Sequence, residues 1–150
     1  MITQGQPFPD FSLLDQFGNV HDKRSLLGSK TIVYFYPKDD TSGCTTEACE
    51  FQASLPRFSG AKVIGVSPDG VKSHKKFADK FDLRFALLAD TDKTLCKACG
   101  VWVQKSMYGK DYLGVERTTF LLDEDGNVIR VWNKVKAPGH AADVLAALGG

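Results

Sequence analysis

Two short runs in this chain, Ile32-Val33-Tyr34-Phe35 and Val63-Ile64-Gly65-Val66, are apolar at nearly every position rather than at every second one. A strand with one wet face alternates apolar and polar residues, whereas a strand covered on both faces does not. These runs therefore call for helices above and below them. Helix-like segments follow in turn: residues 31–36 lead to 45–58, residues 62–66 to 71–81, and residues 85–89 to 91–99. Such alternation predicts an α/β domain with parallel crossovers, its first strands near the centre of the sheet. Later, residues 118–122 and 128–132 flank Asp123-Glu124-Asp125-Gly126-Asn127, a turn-forming set that predicts an antiparallel hairpin. A calcium loop is the rival reading of those acids, but the twelfth position from Asp123 is Lys134, where an EF-hand needs glutamate. A last helix is expected over residues 140–148, after Pro138-Gly139.

At 150 residues the chain has the common size of one domain, expected to span 1–150. Its 19 basic and 18 acidic side chains leave a formal charge of +1, which gives no broad field for nucleic acid or an anionic membrane. Lysines gather only at Lys72, Lys75, Lys76 and Lys80, as on the solvated face of a helix. Met1-Ile2-Thr3-Gln4-Gly5-Gln6-Pro7 has neither a basic nor an apolar targeting segment, and no apolar run approaches the length of a membrane span. The expectation is a cytoplasmic protein without nucleic-acid or membrane partners. In a reducing compartment, its four cysteines are read as catalytic or metal-binding rather than as a disulfide framework.

One of them occupies a special place. Tyr36-Pro37-Lys38-Asp39-Asp40-Thr41-Ser42-Gly43-Cys44 joins the first strand to the first helix, so that Cys44 lies where the helix should begin. The first N–H groups of a helix lack intrahelical partners and carry a partial positive charge, an environment that favours thiolate over thiol. Cys44 is the nucleophile candidate.

Pro37, Thr41 and Cys44 stand as Pro-x-x-x-Thr-x-x-Cys, which resembles the active-site signature of the peroxiredoxins. Gly43-Cys44-Thr45-Thr46-Glu47-Ala48-Cys49 is similar to the bacterioferritin-comigratory, or Q-type, version, which commonly has a second cysteine at this offset in the same helix. The likeness extends from Gly5, Pro9-Asp10-Phe11 and Gly18 through Gly100-Val101-Trp102, Lys105, Gly109-Lys110 and Gly114 to Arg117 and Leu122-Asp123-Glu124-Asp125-Gly126. It implies a thioredoxin-like fold: a central mixed sheet with helices on both faces, extended by an N-terminal hairpin from residues 11–14 and 20–22. It also implies a thiol peroxidase acting on hydrogen peroxide or organic hydroperoxides without a cofactor. Cys44 would become a sulfenic acid, Cys49 would resolve it as an intramolecular disulfide, and thioredoxin or a similar dithiol protein would recycle the enzyme, a monomer.

By the same resemblance, the Thr41 hydroxyl, the Arg117 guanidinium and the backbone N–H groups of Cys44 and Gly43 hold the peroxide. Each residue also has a plainer reading. Thr41 is a normal helix cap, Pro37 ends a strand as well as shielding the sulfur, and Arg117 is a charge before a strand. Glu47, one turn beyond Cys44, either orients Arg117 or answers the helix dipole. Tyr36 either lines the pocket or ends its strand in the core.

Cys96-Lys97-Ala98-Cys99 is a C-x-x-C at the end of a helix-like run, where the dipole disfavours thiolate. The pair is kept as possible auxiliary thiols able to rescue the sulfenic acid. Two other classes compete: a thiol-disulfide oxidoreductase or redox-regulated binding protein, and a structural zinc module on Cys44, Cys49, Cys96 and Cys99. A Cys/His hydrolase would need His21, His74 or His140 to reach Cys44. Gly28-Ser29-Lys30-Thr31 precedes a strand, so it is not a phosphate-binding P-loop.

Overall fold

The computed structural model describes residues 1–148; the last two residues of the expected 1–150 domain lie outside the described residues. In chain order the elements are β1 (Ser12–Leu14), β2 (Val20–Asp22), β3 (Thr31–Phe35), α1 (Ser42–Ser54), β4 (Lys62–Ser67), α2 (Val71–Phe81) and β5 (Ala86–Ala89). They continue with α3 (Thr94–Cys99), β6 (Trp102–Met107), β7 (Lys110–Val115), β8 (Thr118–Leu122), β9 (Val128–Trp132) and α4 (His140–Ala147). Among the described residues no helix is long and apolar enough to cross a membrane.

Five strands form the central sheet in the order β5-β4-β3-β8-β9, with β3, β4 and β5 parallel and β8 and β9 antiparallel to their neighbours. β3 is the middle strand and buried at every residue, as its unbroken apolar run required. Its alternate side chains feed two cores. Ile32, Tyr34 and Tyr36 pack with Phe51 of α1, Phe77 of α2 and Val144 of α4. Val33 and Phe35 join Leu95, Cys96 and Cys99 of α3, together with Phe8, Leu26 and Phe120, on the opposite face. Helices therefore cover both faces, and β1 and β2 pair as the N-terminal hairpin. The result is a thioredoxin-like arrangement.

Two helices begin and end where local chemistry sets them. α1 starts at Ser42, three residues before the expected boundary, because Thr41 takes the extended N-cap conformation and accepts the first helical bond from Thr45 N–H at 2.8 Å. It stops at Ser54 and passes into a short 3-10 turn at Leu55–Arg57, since Pro56 supplies no N–H and crowds the preceding turn. α3 starts at Thr94 rather than 91, where the Asp90 carboxylate accepts the N–H groups of Leu95 and Cys96 at 3.2 and 2.8 Å. Gly100 closes that helix in the left-handed conformation. At the other expected turn, Asp123 accepts N–H bonds from Asp125 and Asn127, which makes its carboxylate part of the β8–β9 connection.

The hairpin of β6 and β7 was not anticipated. Its two strands meet at a two-residue turn, Tyr108-Gly109, with both φ angles positive. That turn geometry normally announces itself with Asn-Gly or Asp-Gly, and a tyrosine at 98 % exposure hides it. Most residues of β6 and β7 are exposed or half-buried, so no apolar alternation marks the strands either.

Under α1 lies a column of rings, Phe51–Tyr34–Tyr36, stacked at 4.8 and 5.5 Å between centroids. Tyr34 fits because its register partner on β4 is Gly65. A Cβ on that glycine would lie 2.9 Å from Leu87 Cδ2 and 3.0 Å from the Tyr34 ring. Gly65→Ala is accordingly expected to lower unfolding free energy by about 1–3 kcal/mol through overpacking, despite alanine's smaller entropy cost. Equilibrium denaturation of both proteins checks this, and unchanged or raised stability would contradict it.

Candidate active site

Tyr36 keeps β3 paired by donating its N–H to Val66 O at 3.0 Å, and Pro37 then ends the ladder. The chain turns through Asp40, whose φ of +58° is rare for a side-chain-bearing residue, and enters α1 at Thr41. Ser42, Gly43 and Cys44 contribute the first N–H groups of the helix, which have no carbonyl a turn earlier within it. Cys44 is buried, at 1 % exposure, on the core side of this first turn.

Arg117 arrives from the other end of the sequence. It precedes β8, and its carbonyl accepts Val135 N–H at 2.9 Å, while Glu116 N–H donates to Val101 O at 2.8 Å at the base of the β6–β7 hairpin. Its Nη2 lies 3.2 Å from Cys44 Sγ and its Nη1 donates to Glu47 Oε1 at 2.6 Å. Gly43 makes room for this approach, since a Cβ there would sit 3.2 Å from Arg117 Nη2. Cys44 and Glu47, three residues apart, share a helix face, and that face meets Arg117. Burial opposes charge on the guanidinium, yet Glu47 and the Cys44 sulfur more than offset it and hold Arg117 above its ordinary value. Burial pushes the Glu47 carboxyl up to about 7, Arg117 drawing it back only in part, and Glu47 Oε2 is buried without a partner among the described residues.

The remaining expected residues divide. Thr41 stands at the N-cap, exposed, but makes no side-chain cap; its hydroxyl donates to Lys38 O at 2.9 Å within the loop. The Tyr36 ring is buried in the core, and its O–H donates to Asp39 Oδ1 at 2.5 Å. Cys49 is half-buried on the same helix as Cys44, and burial raises its thiol. Cys96 and Cys99 are not brought to Cys44. They lie in the core on the other face of the sheet, where burial, reinforced by Asp90, pushes both thiols far above the ordinary range. A sheet between the two pairs also keeps the four sulfurs from converging on one metal.

None of the histidines is placed as a base for Cys44. His21 pairs with Asp15 at 2.8 Å, and His140, its charged form suppressed by burial to about 4, meets the Thr119 hydroxyl at 2.8 Å. His74 lies 2.7 Å from Asp39 Oδ2. This last contact was missed from sequence, although His74, Phe77 and Ala78 share the buried face of α2 and mark the histidine as an interior residue.

A buried sulfur at a helix N-terminus, facing a guanidinium braced by a carboxylate, is arranged to carry negative charge and to meet a polar substrate with donors already aimed. The AhpC/TSA family model matches residues 4–131. A putative peroxiredoxin bcp of Coxiella burnetii is 48 % identical over 149 residues, covering 98 % of this chain and 99 % of that one. Peroxiredoxin Bcp of Xanthomonas campestris is 53 % identical over 127 residues, covering 83 % and 79 %. A solved structure of the Xanthomonas campestris bacterioferritin comigratory protein, from work on its alkyl peroxide reduction activity, superposes with a TM-score of 0.90 at 46 % identity over 99 % of this chain and 96 % of that one. With the family matched over most of its length and Bcp relatives alike from end to end, the chain belongs to the AhpC/TSA family, as a peroxiredoxin of the Bcp, or Q, type.

Proposed function

We propose that Cys44 is the peroxidatic nucleophile of a single-domain thiol peroxidase that reduces hydrogen peroxide and organic hydroperoxides. The observation that carries this reading is the Arg117 guanidinium 3.2 Å from Cys44 Sγ at the start of α1. The thiolate attacks the terminal peroxide oxygen, an S–O bond forms as the O–O bond breaks, and the leaving oxygen departs as water or alcohol after taking a proton. Negative charge grows on that oxygen during cleavage, so donors fixed beforehand stabilise the transition state more than the ground state. Arg117 and the free N–H groups of Gly43 and Cys44 supply them, with Glu47 bracing the arginine, the Thr41 hydroxyl at the rim and Pro37 shielding the sulfur.

Cys49 then attacks the sulfenic sulfur, expelling water and forming a disulfide, which a thioredoxin or similar dithiol protein reduces by exchange. In an intact helix, positions five apart have Cα atoms roughly 8.6 Å apart, beyond the limit of about 7 Å for a disulfide. α1 is continuous from Ser42 to Ser54, so the bond requires residues 45–50 to unwind. The Glu50 carboxylate, which accepts Gly139 N–H at 2.8 Å, must let go as they do. The working form in this reading is a cytoplasmic monomer.

Cys44→Ser should abolish peroxide consumption with a thiol reductant in excess while leaving the circular dichroism spectrum unchanged, because serine matches cysteine in shape but not in acidity. Turnover near the wild-type rate would remove Cys44 from the reaction.

Glu47 gives a pH test of its buried pairing. With its carboxyl at about 7 in the fold against 4.5 ordinarily, the native state between those values holds a proton that the unfolded chain has released, so stability falls as pH rises through that window. Glu47→Gln has no such proton. The wild-type unfolding free energy, relative to this variant, should decline by on the order of 1–3 kcal/mol between pH of about 4.5 and 8. A flat or rising difference, measured by urea denaturation, would show the carboxyl to be ionised throughout.

A further inference from the structure

Asp39 lies in the loop between β3 and α1, two residues before the N-cap, and is bound from three directions. Its Oδ1 accepts the Tyr36 hydroxyl at 2.5 Å; its Oδ2 accepts Ser73 Oγ at 2.7 Å and faces His74 Nδ1 at 2.7 Å. Its backbone N–H donates to Asp69 Oδ2 at 2.7 Å, and Ser67 Oγ at the end of β4 donates to that same oxygen at 2.9 Å. His74, with no exposure to solvent, places its other ring nitrogen, Nε2, 3.0 Å from the Leu88 carbonyl of β5.

The partners decide the protons. A carbonyl oxygen only accepts, so Nε2 carries a hydrogen; a carboxylate already receiving two hydroxyl donors completes its shell by accepting another from Nδ1. The pattern is that of an imidazolium whose charge is cancelled by Asp39 across a charge-assisted bond. Loop, α2 and β5 are thereby joined through one buried ion pair, and Asp40, next in the chain, takes the left-handed conformation.

We propose that His74 and Asp39 are a charged positioning pair that fixes the loop of residues 37–41, and through it the first turn of α1, for attack on the peroxide. The proposal rests on Cys44 being the nucleophile. None of the pair's partners belongs to residues 45–50, so the anchor stays in place while those residues unwind and rewind, and each rewinding restores Gly43 and Cys44 to the same position. A misplacement of about 1 Å is enough to slow a reaction by on the order of a hundredfold, which sets the scale of what the anchor protects.

The test separates the peroxide step from the reductive one. Reduced wild type, His74→Asn and His74→Phe are mixed with hydrogen peroxide under stopped flow, and the preformed disulfide of each is separately reduced with dithiothreitol. His74→Phe should slow the peroxide step by about tenfold or more and the dithiothreitol step by less than about twofold. His74→Asn, which keeps a donor near Nδ1, should recover part of the loss. Nitrogen-15 spectra of the wild type should show hydrogens on both ring nitrogens of His74. An unprotonated ring nitrogen, equal slowing of both steps, or a peroxide rate within about twofold of wild type would overturn the proposal. If His74→Phe does not fold, Ser73→Ala removes one donor to Asp39 and is read the same way, beside the wild-type spectrum. A wild type that does not react with peroxide at all would instead remove the Cys44 reading, and the proposal with it.

Discussion

The Arg117 guanidinium is shared between a sulfur at 3.2 Å and a buried carboxylate at 2.6 Å, and the rest of the site is arranged around holding it there. Neither group belongs to its neighbourhood in sequence; both stand on the first turns of α1. The arginine reaches them because β8 pairs directly with β3, the strand that feeds α1, and because Gly43 leaves the guanidinium room to approach. Its backbone is held by the segment between β9 and α4, through Val135. Glu47 is costly to bury, and one of its oxygens finds no partner among the described residues. What that burial secures is direction, since a guanidinium bound at one edge cannot swing away from the sulfur at the other.

In the proposed cycle, the helix that assembles this arrangement must also come apart. In that reading its intact first turns aim the N–H groups at the reacting oxygen, while the same turns keep Cys49 too far round and along the helix to meet Cys44. The two chemical steps thus require incompatible shapes of one short segment. The aromatic column and the Asp39–His74 pair lie on the sheet side and the loop side of that segment, and in the proposed cycle they are the frame to which it returns.

Much of this was legible in the sequence. The continuous apolar character of residues 32–35 predicted a strand buried on both faces, and β3 lies at the centre of the sheet. The strand-to-helix junction predicted Cys44 from electrostatics, and Arg117 and the N-terminal hairpin followed from the family resemblance. What stayed hidden has physical reasons. The β6–β7 hairpin has no face buried throughout, so no periodicity reveals it, and its turn uses Tyr108 where asparagine would have been telling. The Asp39 network draws side chains from a loop, a helix and the ends of two strands, and no local pattern encodes such a meeting. Cys96 and Cys99 are near Cys44 in chemistry but on the opposite face of the sheet, a separation that only the alternation of side chains along folded strands makes visible.

The central claim, that forming the Cys44–Cys49 disulfide unwinds the start of α1, is tested most directly by amide hydrogen exchange on the reduced and disulfide forms. The N–H groups of residues 45–50 should be protected in the reduced protein and lose that protection on oxidation, with those of β3 and β4 unchanged. Equal protection of residues 45–50 in both forms, in a sample whose Cys44–Cys49 bond has been mapped by mass spectrometry, would contradict it.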